Sequence, residues 1–360
     1  MRLLSLCLSP GRGGLELYVA DAVAFMGSEC RVLVRPGAWL AGRLAERNVP
    51  AEGFAVPRLW QLPLAAARRL ARRIEAWRID VLHINWARDL PLAALACKLA
   101  GRQRPALVYS RHMALPGDKH DVYHRWLYHE VDRFIAVTRE LAEHARARLP
   151  LPAERILQLY PGVRPCPAGQ SDCGLRTGRF QVGLFGRIEP AKGQHLLIEA
   201  LARLHRPGLH AAIVGHVMDA DYRQRLSEQV AAAGLGARVR FHDFVPDPMA
   251  CMQAFDAVVL TTQNETFGLV LPEAMRCGVA VIGSDAGGVR EIIDDGETGL
   301  LFRSGDAAGL AQQLARLHDD PALRARLAAA GRDKADRVFD RDTQFQRLRQ
   351  ILQECALGCR

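Results

Sequence analysis

The 360-residue sequence lacks several features that define specialised classes of protein. It has no stretch near the roughly 20 consecutive apolar residues that a membrane helix needs, and its apolar opening, residues 1–8, is too short for a signal peptide. Its nine cysteines form no Cys-x-x-Cys pair and no Cys/His cluster with zinc spacing. We therefore expect a soluble, cytoplasmic protein without disulfides or a structural metal.

Internal repeats and low-complexity tracts are also missing, and the composition excludes disorder and fibrous structure. Hydrophobic residues make up 49% of the chain and charged residues 24%, which is the balance of an ordinary globular protein. At roughly 100–200 residues per domain, the length predicts two domains.

Excess positive charge is confined to the first half of the chain. Residues 1–170 contain 25 Lys and Arg against 15 Asp and Glu, a net charge of +10, whereas the remainder contains 23 against 24, a net charge of −1. Such asymmetry favours an anionic partner, either nucleic acid or a membrane surface, with solvated charge as the alternative. Because the sequence shows no basic residues interleaved with base-stacking aromatics and no recognisable binding module, we expect no nucleic-acid partner.

One segment of this basic half predicts an amphipathic helix. Residues 64–77 place apolar side chains on one face and leave four arginines for the other. Such a helix suits an anionic leaflet, or it packs its apolar face against its own sheet. The arginines are Arg68, Arg69, Arg72 and Arg73.

Short apolar strands alternate with helical segments throughout the chain. This pattern predicts parallel α/β winding in two Rossmann-like halves, separated by a linker at residues 160–174 that is rich in proline and glycine. The predicted domains are residues 1–165 and 175–340, and residues 341–360 form a final helix that packs back toward the first domain. The predicted strands are residues 2–8, 31–35, 81–85, 106–110, 134–138, 180–185, 210–214, 239–242, 257–262 and 279–283.

The most specific segment carries Glu265 and Glu273, eight positions apart at the junction of a buried strand and a helix. Glycine at position 268 lets the backbone approach a ligand closely. Free amides at a helix start favour phosphate, and flanking carboxylates accept hydrogen bonds from sugar hydroxyls. A sugar nucleotide offers both groups. The amides expected to face it belong to Phe267, Gly268, Leu269 and Val270.

This segment resembles the retaining GT-B glycosyltransferases of family four, whose E-x7-E motif matches Glu265 and Glu273. The surrounding text, ETFGLVLPEAMRCGVAVIGSDAGGVREIIDDGETGLLF, also follows that family's pattern. Ala280 replaces a common proline, and TTQN precedes the first glutamate in place of the usual proline-serine approach. Upstream, Arg187 and Lys192 match the family's G-R-x4-K-G motif and can stabilise the charge of a diphosphate leaving group.

The resemblance extends more faintly into the first half. Gly13 and Gly14 belong to a glycine-rich loop similar to the family's first one, and His112 matches a histidine that the family places near the donor sugar. The loop is not a dinucleotide fingerprint, because Glu16 stands where the third glycine is required. A tight turn and a structural histidine are the respective alternatives.

The resemblance implies a GT-B enzyme whose two Rossmann-like domains face a central cleft, with acceptor bound by the first domain and donor by the second. Glu265 would orient the donor sugar, Glu273 would bind the ribose, and Arg187 with Lys192 would replace a metal ion. The implied reaction transfers sugar with retention from a nucleotide sugar, with UDP-sugar favoured over GDP-sugar, and no further cofactor. The nucleobase is expected near residues 215–216 and 241–245.

The chemical class of the acceptor is predicted from weaker sequence signals. The basic half and the opening LSPGRGGLELY favour a glycan or lipid-linked acceptor of lipopolysaccharide or envelope-polysaccharide synthesis, with peripheral attachment to the anionic cytoplasmic face of the inner membrane. Two alternatives remain: a capsule or exopolysaccharide glycosyltransferase, and a non-catalytic protein that binds a sugar nucleotide.

Overall fold

The computed structural model describes residues 1–56, 63–169, 179–204, 206–245 and 247–358. The chain forms two compact units: unit 1 comprises Met1–Gly162 and Asp342–Arg360, and unit 2 comprises Val163–Arg341. Part of the predicted linker, residues 170–174, and the predicted start of the second domain at residue 175 lie outside the described residues.

Unit 1 is built on a seven-stranded sheet of order β3-β2-β1-β4-β5-β6-β7, in which each neighbouring pair is parallel. Its strands are β1 (Leu3–Cys7), β2 (Cys30–Val34), β3 (Glu52–Gly53), β4 (Val81–Ile84), β5 (Ala106–Arg111), β6 (Arg133–Ala136) and β7 (Ile156–Gln158). Its helices are α1 (Gly14–Met26), α2 (Trp39–Glu46), α3 (Leu64–Ala76), α4 (Leu90–Leu99), α5 (Val122–His129) and α6 (Arg139–Arg148).

Unit 2 contains a six-stranded parallel sheet of order β10-β9-β8-β11-β12-β13. Its strands are β8 (Phe180–Phe185), β9 (Leu209–Val214), β10 (Val239–His242), β11 (Ala257–Leu260), β12 (Ala280–Ser284) and β13 (Leu300–Phe302). Its helices are α7 (Gln194–Arg203), α8 (Ala220–Ala232), α9 (Pro248–Met252), α10 (Val270–Arg276), α11 (Val289–Ile292), α12 (Ala307–Asp319) and α13 (Pro321–Val338). The last helix of the chain is α14 (Arg341–Gly358).

The strands form because they are continuous apolar runs that helices cover on both faces, as parallel sheets require. Every residue of β1 and β8 is buried. Helix starts are fixed by short polar side chains: Thr138 accepts a hydrogen bond from the amide of Leu141, and Asp219 accepts one from Tyr222. The α/β class and the two Rossmann-like sheets predicted from the sequence are confirmed.

The prediction that the chain has no disulfides was wrong, because Cys166 forms a disulfide with Cys277. These residues are 111 positions apart, but the segment that opens unit 2 lies against the C-terminal end of α10, which brings their Cα atoms to 5.1 Å. Spacing along the sequence could not reveal that contact. Among the described residues, no helix combines the length and apolar character needed to span a bilayer.

Candidate active site

Each sheet has one point at which its strand order reverses. Ligands of open parallel sheets bind beside such a switch point, at the carboxyl ends of the strands. In unit 1 it lies between β1 and β4, and in unit 2 between β8 and β11. The glycine-rich loop follows β1, Arg187 and Lys192 follow β8, and Glu265 follows β11, so these motifs lie at the two strand edges.

At the switch point of unit 2, Lys192 and Glu265 form an ion pair. Lys192 ends a short 3₁₀ turn after β8, and its Nζ lies 2.9 Å from Oε2 of Glu265. The two side chains are 24% and 18% exposed, so both remain accessible to a ligand. The hydroxyl of Thr261, just after β11, donates to the backbone carbonyl of Lys192 over 2.7 Å. A cation and a carboxylate predicted separately from the sequence thus form one pair.

Two glycines lie against Glu265, one at its backbone and one at its side chain. Gly287 has φ +56°, and a Cβ there would lie 2.1 Å from the carbonyl oxygen of Glu265. The next amide, that of Gly288, donates to the same oxygen over 3.2 Å. Only a residue without a side chain allows this approach. Gly268 also has positive φ (+91°), and a Cβ there would lie 3.2 Å from Cγ of Glu265.

A third glycine fixes the lysine. Gly193 has φ +68°, and a Cβ there would lie 2.5 Å from the carbonyl oxygen of Thr261. The Lys-Gly pair of the sequence motif therefore serves one purpose: glycine lets the turn close onto the end of β11, which positions the lysine beside Glu265.

Glu273 lies in the first turn of α10 and is partly buried. Its amide donates to the carbonyl of Leu269, and the amide of Leu271 donates to the carbonyl of Gly268. The side chain of Phe267 belongs to the core instead of a ligand surface, since it is 4% exposed and its ring meets Phe339 edge-on at 5.6 Å. Only the backbone amide of Phe267 is expected to contact the ligand, so burial of its ring does not contradict that prediction.

Arg187 follows β8 directly, but the structure does not join it to the Lys192–Glu265 pair. Its guanidinium lies 2.8 Å from the carboxylate of Glu189, and its side chain is 49% exposed. Its carbonyl accepts a hydrogen bond from the side chain of Gln194. The backbone is fixed, therefore, while the charged group remains at the surface.

The glycine-rich loop of unit 1 wraps a buried carboxylate. Glu16 is 4% exposed and accepts a hydrogen bond from the hydroxyl of Ser9, whose oxygen accepts the amide of Gly11. A Cβ on Gly11 would lie 2.7 Å from Oε1 of Glu16, so a side chain there would displace the carboxylate from its present position. Gly13 precedes α1 in extended backbone, and Gly14 begins the helix. The glutamate that breaks the dinucleotide pattern thus supports the loop.

His112 follows β5, where Nε2 lies 3.1 Å from Oδ1 of Asn85 and the ring lies 4.5 Å from that of Tyr18. Burial, together with the nearby His83 and Arg111, lowers the pKa of His112 to about 3. The imidazole is therefore neutral near pH 7 and acts as a hydrogen-bonding group, not as a cation.

Sequence reasoning missed a second acid at this edge. Asp89 is 1% exposed, and its carboxylate accepts the amide of Leu8 over 3.0 Å at the end of β1. Burial raises the pKa of Asp89 well above its usual value. The signal was weak, because an aspartate before a predicted helix is normally a simple cap.

Two family models cover most of the chain: that of glycosyltransferase family 4 matches residues 12–165, and that of glycosyl transferases group 1 matches residues 171–334. The lipopolysaccharide core biosynthesis mannosyltransferase LpcC of Rhizobium leguminosarum bv. viciae is 30% identical over 276 residues, which are 74% of this chain and 72% of the relative. The chain belongs to the group 1 glycosyltransferases.

This glycosyltransferase is also similar to a second kind of relative. A D-inositol 3-phosphate glycosyltransferase of Frankia alni is 30% identical over 369 residues, covering 90% of each chain. Among solved structures, Anabaena HepE in complex with UDP and glucose is 27% identical, with a TM-score of 0.86 over 98% of this chain and 100% of that one. The glycosyltransferase activity and GT-B fold expected from the sequence are thereby confirmed.

Proposed function

We propose that this glycosyltransferase transfers a sugar from a nucleotide-sugar donor, with retention of anomeric configuration, to a glycan or lipid-linked acceptor of lipopolysaccharide or envelope-polysaccharide synthesis. The observation that carries the proposal is the Lys192–Glu265 pair at the switch point of unit 2. It presents a cation for a diphosphate beside a carboxylate for sugar hydroxyls.

In this proposal Lys192 and Arg187 stabilise the negative charge that the diphosphate gains as the glycosidic bond breaks. The backbone amides of residues 267–270 contribute further donors. Glu265 orients the hydroxyls of the donor sugar, and Glu273 binds the ribose. The leaving phosphate accepts the proton of the acceptor hydroxyl on the same face of the sugar, which gives retention without a protein nucleophile.

UDP is our proposed nucleotide, because HepE is described in complex with UDP and glucose. The base is proposed to lie beyond β9 and β10, near residues 215–216 and 241–245. Two features support this position: Phe244 is 60% exposed, and the guanidinium of Arg223 stacks 3.5 Å from the ring centroid of Phe241. An exposed aromatic ring and a planar cation both suit stacking with a base.

The acceptor is assigned to unit 1, in keeping with the net charge of +10 on residues 1–170. The similarity to LpcC, named as a lipopolysaccharide core mannosyltransferase, supports envelope synthesis. Such acceptors carry anionic groups and reach the enzyme at a membrane. We therefore propose a cytoplasmic protein that attaches peripherally to the anionic inner leaflet.

A transfer assay tests the proposed reaction directly. The full-length protein is incubated with UDP-, GDP- or ADP-sugars and lipopolysaccharide-core acceptors, and the product's anomeric configuration is read from proton NMR coupling constants. The proposal expects a retained linkage from a UDP-sugar. Lys192→Ala should lose more than about tenfold in rate, since a hydrogen bond to a charged group contributes roughly 1.5–3 kcal/mol. The matched control Lys98→Ala, an exposed lysine of α4, should not lose activity.

Metal dependence is tested in the same assay. Because the two cations supply the countercharge in this proposal, EDTA should leave the rate unchanged. Loss of transfer with EDTA and its return with magnesium or manganese would contradict the electrostatic role given to Arg187 and Lys192. An inverted product would contradict the proposed mechanism, and donor binding without transfer to any acceptor would favour a non-catalytic sugar-nucleotide protein.

A further inference from the structure

Two side-chain pairs link β4 to β5 on the same offset. His83 contacts Ser110, with 2.8 Å between Nε2 and Oγ, and two residues further along Asn85 contacts His112 over 3.1 Å. Each pair is 27 positions apart in the chain. Asn85 is 4% exposed, so its side chain is almost completely shielded from solvent. The first pair lies within the sheet, and the second follows the strands at the edge where ligands bind.

The orientation of the Asn85 amide determines which nitrogen of His112 carries the proton. With Oδ1 facing the ring, as it does here, Nε2 carries the proton, because a side-chain amide oxygen only accepts hydrogen bonds. In a neutral imidazole the other nitrogen then carries a lone pair. Nδ1 of His112 has no hydrogen-bond partner among the described residues, so that lone pair remains available.

The ring surroundings preserve this state. Among the described residues, the titratable and charged groups facing His112 are Tyr18 of α1, His83 of β4 and Arg111 of β5. The pKa of Tyr18 is raised by burial, so it stays neutral. His83 and Arg111 disfavour a positive charge on the His112 ring. Tyr18 in turn packs edge-on against Phe345 at 5.6 Å. This contact holds the tyrosine ring that lies against the imidazole.

We propose that Asn85 is a positioning residue that locks His112 in the Nε2–H tautomer and so makes Nδ1 an acceptor for a substrate hydroxyl. The substrate part of this inference rests on the proposed function, because it takes the partner to be a sugar. An acceptor nitrogen binds a group that donates, which a hydroxyl does. The lone pair of Nδ1 repels those of a phosphate or carboxylate oxygen. The edge of unit 1 therefore distinguishes a sugar hydroxyl from an anionic group at this point.

The tautomer is measured without reference to activity. Long-range proton–nitrogen correlation spectra are recorded on the ¹⁵N-labelled full-length protein, and the His112 signals are assigned by their loss in His112→Gln. We expect a proton on Nε2 and an unprotonated Nδ1 from pH 8 to pH 5. In Asn85→Asp the carboxylate favours the imidazolium, so His112 should take up its second proton at a higher pH than in the parent protein.

Transfer kinetics supply the second readout. Asn85→Ala should lower the rate by about tenfold through loss of one positioning hydrogen bond. In Asn85→Asp the rate should recover at high pH and fall as the pH decreases and Nδ1 becomes protonated, a limb that the parent protein lacks. The matched control Ser110→Ala removes the neighbouring pair and should leave the His112 signals and this pH profile unchanged.

The outcomes separate the two proposals. A proton on Nδ1 of His112 in the parent protein, or an Asn85→Asp variant with an unaltered pH profile and full activity in Asn85→Ala, would overturn the positioning role. Absence of sugar transfer by the parent protein, together with the expected Nε2–H tautomer, would overturn the proposed function alone.

Discussion

The Lys192–Glu265 pair is the residue-scale feature on which the account rests. Because both side chains are partly exposed, a diphosphate can reach the pair, and its larger charge can displace the carboxylate from the ammonium. The carboxylate is then free to accept a hydrogen bond from the donor sugar. One pair of side chains can in this way serve both parts of a sugar nucleotide.

Replacing the carboxylate separates binding from catalysis. We expect Glu265→Gln to lower transfer by more than about tenfold, since a lost hydrogen bond to a charged group has that effect, while affinity for the nucleoside diphosphate is unchanged or higher because Lys192 loses its competitor. Calorimetric titration and initial rates measure the two effects. Glu189→Gln, which removes the partly buried carboxylate partner of Arg187, is the matched control and should retain far more activity. Weaker diphosphate binding in Glu265→Gln would contradict the competition argument.

Buried histidines predict how stability depends on pH. Burial lowers the pKa of His83 to about 4, below its value of about 6.5 in the unfolded chain. Between these two values the unfolded state binds more protons, so His83 makes the folded state lose stability as the pH falls, by up to about 1.4 kcal/mol per pH unit. His112 adds to the same trend.

Denaturant unfolding at pH 7 and pH 5 measures this dependence. The variant His83→Gln keeps a polar group for Ser110 and should show a smaller loss of unfolding free energy between the two pH values than the parent protein. The exposed His129→Gln variant should show the same loss as the parent. If His83→Gln and the parent protein lost equal stability, burial of His83 as a neutral group would be refuted.

At the scale of elements, the sequence predicted those strands whose apolar runs are long enough to be recognised. Phe180–Phe185 and Val239–His242 have the predicted bounds. The strands Glu52–Gly53, Ile156–Gln158 and Leu300–Phe302 were missed because two or three residues carry no periodic pattern. Their strand conformation comes from pairing with a neighbour, as in the contact of Glu52 with Leu33.

The same limit applies to the candidate site. The local motifs indicated Lys192 and Glu265 individually, because glycine, charge and helix position are readable along the chain. Their pairing was not predicted, since 73 positions separate them and only the sheet register brings them together. The contact between Gly287 and the carbonyl of Glu265 depends on the fold in the same way.

Two glycines with similar backbone angles test the support of Glu265. Gly287 (φ +56°) lies against the Glu265 carbonyl, whereas a Cβ on Gly278 (φ +70°) would meet no atom within 4 Å. Gly278→Ala should therefore cost only the backbone strain of about 1–2 kcal/mol and retain transfer activity. Gly287→Ala should be less stable than Gly278→Ala and lose transfer, because the Glu265 backbone must move. Equal unfolding midpoints and equal transfer rates for the two variants would contradict the role given to Gly287 in holding the Glu265 backbone.

For the whole molecule, uneven charge predicts membrane association through unit 1. Arg68, Arg69 and Arg72 of α3 are exposed. Arg69 and Arg73 stack on Phe54 at 5.1 and 5.2 Å, so Arg68 and Arg72 are the pair chosen to test contact with a membrane. Basic residues near an anionic leaflet contribute about 1 kcal/mol each. Sedimentation should therefore show binding to anionic but not to neutral vesicles, decreasing above about 0.3 M salt as the Debye length shortens.

The arginine pair supplies the controlled comparison for this prediction. The double variant Arg68→Ala/Arg72→Ala should bind anionic vesicles more weakly, whereas Arg332→Ala/Arg337→Ala, which removes two exposed arginines of α13 in unit 2, should not. Equal binding of the parent protein to neutral and anionic vesicles, or no binding at low salt, would contradict membrane attachment. The basic charge of unit 1 would then be assigned to a water-soluble anionic acceptor.

The central claim is that unit 2 binds a nucleotide-sugar donor through Lys192 and Glu265, and thermal unfolding of the full-length protein with UDP, GDP, ADP and their sugars tests it most directly. A ligand bound only by the folded state raises the unfolding temperature, by an amount that grows with its concentration relative to Kd. We predict a rise with UDP and its sugars that is much smaller in Lys192→Ala and preserved in Lys98→Ala. No rise with any nucleotide, or an equal rise in Lys192→Ala and the parent protein, would contradict the account.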